Sequence, residues 1–526
     1  MHQMMGGKEE CDIAPKLPHL GLTELLMMTL IMSLPKENRP WGIVTWMAST
    51  FMLSRQSIYA ITERTRERLV SRERVAEIRS AEEMGVRGER VVKPERLART
   101  ALTAAFPGKM SIRPMQELLK EALGETRSVG WLSELLKEAG ERAGKVLMEI
   151  DTSAMKDVII VRDETYFDEY PLLLVIDPVS GTILKAIAAP DRTAETWALV
   201  LWMAEEQGAT LGGVVEDMAT MYPASLVEAE LDLDVQKDVW HIERDGSKIL
   251  QRLEKSALKQ TGKVIKVEKK LLKKWEDDVF IKEYIPLVEK EEQLYEQHQE
   301  FSTWLSHLCD ALELVDLRSG EIRDKETNAW LLEETLHAFE QIDFPRIQTW
   351  TQTLRRHQDR LLTFLDWLAS ALTPYHDELA QILPSPSAST QFISLVARSW
   401  RLRQAVLSNH DSLRAASLHA SQELDALIDD LPLFSSFRDR LFAILDAACR
   451  ASSLVENING LLKSFLRQRR SFPDSLTLQR YLDLFTLWHN LRVFQRGKRQ
   501  GHSPYQLAGV HTPSEDWLTL LGYPPP

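Results

Sequence analysis

The chain has 526 residues, 44% of them hydrophobic and 27% charged, with a formal net charge of -13. That length exceeds one compact core, so roughly two to four domains are expected, and the composition is that of a globular chain rather than a disordered one. No apolar run approaches the roughly 20 residues that cross a bilayer. The best candidate, residues 22–34, is too short, carries Glu24 and follows no basic segment, so the reading expects neither a membrane span nor a signal peptide. Cys11, Cys309 and Cys449 fit neither a disulfide framework nor a zinc motif, which points to a reducing, intracellular setting.

The first 150 residues are helical in pattern. WGIVTWMASTFMLSRQSIYAITERTRERL reads as two helices with a tight turn near Met52 and Leu53. Ser54 offers the hydroxyl of an N-cap, and Arg55, Gln56, Ser57 and Tyr59 fall in the first turns of the second helix. A helix-turn-helix presents those positions to base edges, although a plain helical hairpin has the same pattern. Residues 111–144 repeat the layout, with Ser128 opening the second helix. The acidic total argues against a DNA-binding protein, but its distribution weakens that argument. Cations cluster at 55–99, 263–275, 467–470 and 496–502, whereas acid concentrates at 289–300.

From residue 151 the period becomes that of strands. DVIIV is a β-branched run that delivers Asp163, and YPLLLVIDPVSGTILKAIAA is a hairpin turning at Pro178-Val179-Ser180-Gly181. DRTAETWALVLWMAEEQG is an amphipathic helix with Trp197, Leu201 and Ala204 on one face. LGGVVED is a short buried strand that delivers Asp217, YPASLVEAELD is a helix, and VQKDVWHI is read as a fifth strand. Beyond His241 the pattern stays helical for about 200 residues, to a helix near Ser452 that carries Glu456.

Two strand-borne aspartates and a helix-borne glutamate can converge on two divalent metals about 4 Å apart. Hard carboxylate oxygens suit Mg²⁺, which completes its shell with water and substrate phosphate. Asp177 is the nearest rival to Asp163, but it precedes Pro178 in a turn, where Asp is favoured for geometry. Glu216 adjoins Asp217, and strand alternation leaves only one of them facing the site. Glu423 and other helical acids compete with Glu456. The tryptophans Trp304, Trp330, Trp350, Trp367 and Trp400 could stack on a base, but Trp at helical spacing is more often core. No phosphate-binding G-x-x-x-x-G-K loop, G-x-G-x-x-G, H-E-x-x-H or G-x-S-x-G occurs, so no nucleotide cofactor is expected.

Asp163, Asp217 and Glu456, in this order of strands and helices, resemble the D-D-E triad of bacterial insertion-sequence transposases with an RNase H-like core. ENINGLLKSFLRQRR resembles the glutamate motif of those enzymes, and WHNLRVFQRGKRQGHSPYQLAG resembles their closing motif. DVWH resembles a D-x-x-H element, with Asp238 and His241 in a supporting role through an orienting hydrogen bond. The resemblance implies an α/β RNase H-like core interrupted by an all-α insertion. Residues 1–150 would be a helical DNA-binding region, 151–244 the first part of the core, 245–450 the insertion, and 451–526 the last core helix with a basic tail. Asp163, Asp217 and Glu456 would hold two Mg²⁺ ions, or Mn²⁺ in their place. Arg55, Gln56, Ser57, Tyr59, Arg467, Arg470, Lys498 and Arg499 would bind DNA. Partners would be transposon ends, target DNA and further copies of the chain, in the cytoplasm at the nucleoid. A decayed or domesticated DNA-binding relative, or a structure-specific nuclease of the same fold, is the alternative.

Overall fold

The computed structural model describes residues 42–51, 53–70, 92–316, 318–383, 385–407, 411–429, 433–469 and 471–525, with Met27, Met28, Ile31, Met32, Leu34 and Arg39. Met52, Arg470, Cys11 and residues 71–91 of the Arg-rich stretch, all named above, lie outside the described residues.

At the centre is a mixed five-stranded sheet of order β3-β2-β1-β4-β5. The strands are β1 (Val158–Phe167), β2 (Tyr170–Ile176), β3 (Ile183–Ala188), β4 (Leu211–Glu216) and β5 (Asp234–Lys237). β1, β2 and β3 form an antiparallel meander, whereas β4 and β5 join β1 in parallel. The parallel pairs need crossovers, and helices supply them. The hairpin turns where the sequence predicts: the Asp177 carboxylate accepts the Val179 and Ser180 amides, and Gly181 takes φ of 84°.

Helices α1 (Ile43–Thr50) and α2 (Arg55–Val70) open the described chain, and Ser54 Oγ accepts the Ser57 amide at 2.9 Å as an N-cap. α3 (Pro94–Ala105), α4 (Ile112–Leu123) and α5 (Val129–Glu149) follow, with the Trp131 amide bonded to Ser128 Oγ. These helices do not form a core of their own. Their buried residues are continuous with the sheet and with α16 (Ser453–Leu466) and α17 (Ser475–Leu491), as where Phe106 meets Phe465 at 4.1 Å between ring centroids. Gly140 of α5 lies against Arg480 of α17 so closely that a Cβ would sit 2.4 Å from its carbonyl oxygen. The expected boundary at residue 150 therefore does not separate two cores.

α6 (Ala194–Glu205), capped by Thr193, buries Trp197, Ala198, Val200, Leu201 and Ala204. α7 (Met221–Glu228) lies beside it. β5 ends at Lys237, so the predicted fifth strand is shorter than VQKDVWHI. Asp238 accepts the Trp240 and His241 amides and caps α8 (Val239–Lys273), which places His241 in a helix rather than a strand. The cap wins because an Asp side chain can satisfy the free amides of a first turn. The expected core–insertion boundary at 244/245 falls inside this continuous helix.

A second apolar core begins at Val239 and runs through α8 and the helices that follow. These are α9 (Ile285–Ala311), α10 (Lys325–Gln341), α11 (Pro345–Arg356), α12 (Thr363–Ile382), α13 (Pro386–Leu407), α14 (Asp411–Asp429) and α15 (Leu433–Ala447). Within this block, among the described residues, the one β pairing is an isolated bridge between Val315 and Ile322. Trp367 of α12 packs against β4 at Gly213, where a Cβ would sit 2.6 Å from the indole. No helix among the described residues is long and apolar enough to cross a membrane.

Candidate active site

β1 and β4 run in parallel, with Val161 opposite Val215. Asp163 lies two residues further along β1, and Asp217 lies two residues beyond Val215, one past the end of β4. Neighbouring strands are about 4.8 Å apart, so Asp163, inside β1, and Asp217, just past β4, lie close enough for the charge of Asp217 to act on Asp163.

α16 brings the third acid. Glu456 sits in its first turn, and Asn459, one turn on, donates from Nδ2 to Asp163 Oδ2 at 2.8 Å. That bond anchors the helix over β1. From the other side His241 Nε2 comes within 3.9 Å of Glu456 Oε1, while its Nδ1 shares a 2.6 Å hydrogen bond with Asp238 Oδ2. Ser452 Oγ donates to the same Asp238 oxygen.

The electrostatics follow from this crowding. Burial, then the charges of Glu456 and Glu164, push Asp163 up to about 7; His241 opposes them and Asp217 adds to them. Burial also raises Asp217, against the Ala219 amide that bonds its carboxylate at 2.7 Å. Asp238 is buried too, but the bond and charge of His241, with Ser452, hold it below the usual carboxylate range. Burial, the largest single effect, pulls His241 down, but its bond to Asp238 and the charges of Asp238 and Asp217 together outweigh it and leave it raised.

Glu216 has a different place. It is fully buried, bonded by Arg162 and by Lys237 Nζ at 2.7 Å, and both cations are buried with it. Arg162 also donates to Ser225 Oγ and to the Tyr222 carbonyl. Glu216 is thus the centre of an internal charge network that ties β1, β4 and β5 together. Glu164 accepts from Tyr222 Oη at 2.6 Å and from Arg192 at 2.7 Å.

The donor set Asp163, Asp217 and Glu456 is all carboxylate oxygen, as a hard divalent cation requires. Burial and the neighbouring acids, which together raise Asp163, are what such a cation would offset. Asn459 Oδ1, beside Asp163, is buried without a hydrogen-bond partner. As the side chains stand, no group of three or more His, Cys, Asp or Glu among the described residues is gathered tightly enough to hold an ion.

The other predicted contacts are dispersed. Arg55 and Gln56 are exposed at the start of α2, Ser57 is half-buried and Tyr59 is exposed. Arg467 is exposed just past α16. Lys498 and Arg499 are engaged within the protein: Lys498 Nζ pairs with Asp446 at 2.5 Å, and Arg499 donates to the carbonyls of Pro178 and Val179. The closing motif serves the same hairpin. The Asn490 side chain pairs with both backbone groups of Ile183 at 2.9 Å, and buried His489 bonds the Gly181 carbonyl. Among the tryptophans, Trp330 is exposed and Trp400 donates to Asp446 at 2.6 Å.

Sequence reasoning missed Asn459, Ser452 and the Arg162–Glu216–Lys237 network. Asn459 was open to discovery, because positions three apart on a helix share a face with Glu456. No known protein-family model matches this chain, and no curated protein matches it.

Proposed function

We propose that the protein is an RNase H-like DNA strand-cleaving and strand-joining enzyme of the D-D-E transposase kind, acting at the ends of a mobile element. The observation that carries the reading is the nearness of three acids: Asp163 on β1, Asp217 just past the end of the parallel neighbour β4, and Glu456 on the helix that the Asn459–Asp163 bond holds against β1, with Glu456 and Asp217 both acting on Asp163. The strand order β3-β2-β1-β4-β5 supports the fold assignment.

Asp163, Asp217 and Glu456 would hold two Mg²⁺ ions, or Mn²⁺, which when bound supply Lewis-acid activation of water and stabilisation of the leaving oxygen. The chain's own residues do the positioning. Asn459 fixes the rotamer of Asp163, and the buried Glu216 network holds the ends of β1 and β4 in register. Asp238 keeps His241 oriented with Nε2 toward Glu456, where it can hold a proton near the reacting phosphate. Water would cut one strand, and the freed 3′-hydroxyl would attack a second phosphodiester. The enzyme would act as an oligomer that pairs two DNA ends, at the nucleoid.

The test is Mg²⁺-dependent nicking of duplex DNA carrying the element's ends, by wild type and by Asp217→Asn. The expected result is nicking by wild type, a loss of orders of magnitude in the variant, and retained DNA binding in both. Binding without cutting in either Mg²⁺ or Mn²⁺ would instead mark a domesticated DNA-binding protein.

A further inference from the structure

α8 begins at the active site and carries cations in an unusual order. Arg244, Lys248 and Arg252 line a cleft of about 780 Å³ whose near end is formed by Asp217, Asp238 and His241. Arg346 of α11 lies on the same cleft. Beyond it the helix continues with Lys255, Lys259, Lys263, Lys266 and Lys270. These eight cations from Arg244 to Lys270 are spaced three or four residues apart, which on an α-helix is a single stripe, and Lys269 lies at its edge.

The stripe is exposed from Lys248 to Lys270. It is separate from the buried face of α8, which runs Ile242, Gly246, Ile249, Leu253, Ala257 and Val264. At 100° per residue, Glu243, Glu254 and Glu268 fall on the other flank, and Asp245 is the one acid of α8 on the cationic side. Within the stripe Lys248 pairs with Asp245 at 3.0 Å and Lys270 with Glu283 at 3.7 Å. Arg244 also pairs with Asp245, at 3.4 Å, but among the described residues the side chains of Arg252, Lys255, Lys259, Lys263 and Lys266 have no ion pair or hydrogen bond. A chain of net charge -13 that keeps such a row unneutralised presents it to a polyanion.

We propose that this stripe is a track for the backbone of duplex DNA, leading away from the scissile phosphate along α8. The inference rests on the proposed DNA-cleaving function and assigns it a binding surface in the helical block. Lys270 is 26 positions beyond Arg244, a span of about 39 Å at about 1.5 Å per residue. That equals about 11 base pairs at about 3.4 Å each. A rigid helix with cations every turn fits a regular phosphate backbone, whereas an acidic peptide would have to be ordered against it at an entropic cost.

The experiment measures binding of fluorescein-labelled duplexes of about 10 and about 30 base pairs to the full chain by anisotropy, across a KCl series. The stripe variant is Lys259→Gln/Lys263→Gln/Lys266→Gln; the control, in the same block but off the stripe, is Lys282→Gln/Lys290→Gln/Lys325→Gln. The stripe variant should bind the longer duplex at least about tenfold more weakly. Its slope of log affinity against log salt should fall by about 2 to 3, because each lost phosphate contact removes about 0.9. The control should match wild type. Equal binding by stripe variant and wild type, in a protein that nicks DNA, overturns the track and leaves the cleavage reading standing. Stripe-dependent binding by a protein that never nicks supports the track and overturns the cleavage reading. Equal losses in stripe variant and control overturn the track, since they report total charge alone.

Discussion

Replacing Asp163 with Asn should stabilise the metal-free protein, and by an amount that depends on pH. The folded carboxyl is raised from 3.8 to about 7 by burial and by Glu456, Glu164 and Asp217. The folded state therefore holds a proton that the unfolded state releases between about pH 4 and 7. The stability this proton confers is complete below about pH 4 and lost as pH rises to about 7. At about 1.36 kcal/mol per pH unit, the loss between about pH 5 and pH 8 is about 3 kcal/mol. Asparagine stays neutral, fills the same volume and can still accept the Asn459 bond through its amide oxygen. Calorimetric melting of wild type and Asp163→Asn without metal, at both pH values, reads the difference. The variant's advantage should already be about 1.5 kcal/mol at about pH 5 and grow by several degrees at about pH 8. Parallel profiles would refute the crowding of negative charge at Asp163. Added Mg²⁺ should raise the wild-type midpoint and leave the variant's nearly unchanged.

Four further substitutions test other parts of the account. Glu216→Gln leaves Arg162 and Lys237 buried without their carboxylate, and should cost about 3–5 kcal/mol, seen as a lowered melting midpoint or loss of folded protein. Gly140→Ala puts a methyl group into the Arg480 backbone; α5 and α17 must separate, and protection of their amides in hydrogen exchange should fall. Arg55→Ala or Gln56→Ala should relax sequence preference by about 1–3 kcal/mol if the residue reads a base, measured with competing duplexes. Equal weakening on all sequences would make that residue a phosphate contact.

The strands and the placement of Asp163 and Asp217 were legible because short β-branched runs ending in acid leave few other readings. The hairpin was legible from Asp177 to Gly181, and Ser54 and Ser128 announced their helices. Three things were hidden for physical reasons. Arg162 and Lys237 drew no reading from the sequence and Glu216 was weighed only as the rival of Asp217, because only the tertiary pairing of three strands brings them together and makes their burial tolerable. The helices up to Glu149 read as a separate region because their apolar faces look alike whether they pack on each other or on α16 and α17. Lys498 and Arg499 read as phosphate contacts, since a basic loop gives no sign that carbonyls of a distant hairpin will take up its donors. The end of β5 was misplaced although Asp238 carries the signature of an N-cap; a run of Val, Trp and Ile beyond it outweighed that signal.

The most direct test of the central claim is the position of a divalent ion. Crystals grown with Mn²⁺ and a duplex carrying the element's end, measured for anomalous scattering, locate the ion independently of turnover. The expected result is a peak between the carboxylates of Asp163 and Asp217, with Glu456 turned toward it and metal–oxygen distances of about 2.0–2.3 Å. An ion bound elsewhere, with these three carboxylates left without metal in crystals whose protein cleaves DNA, would contradict the account.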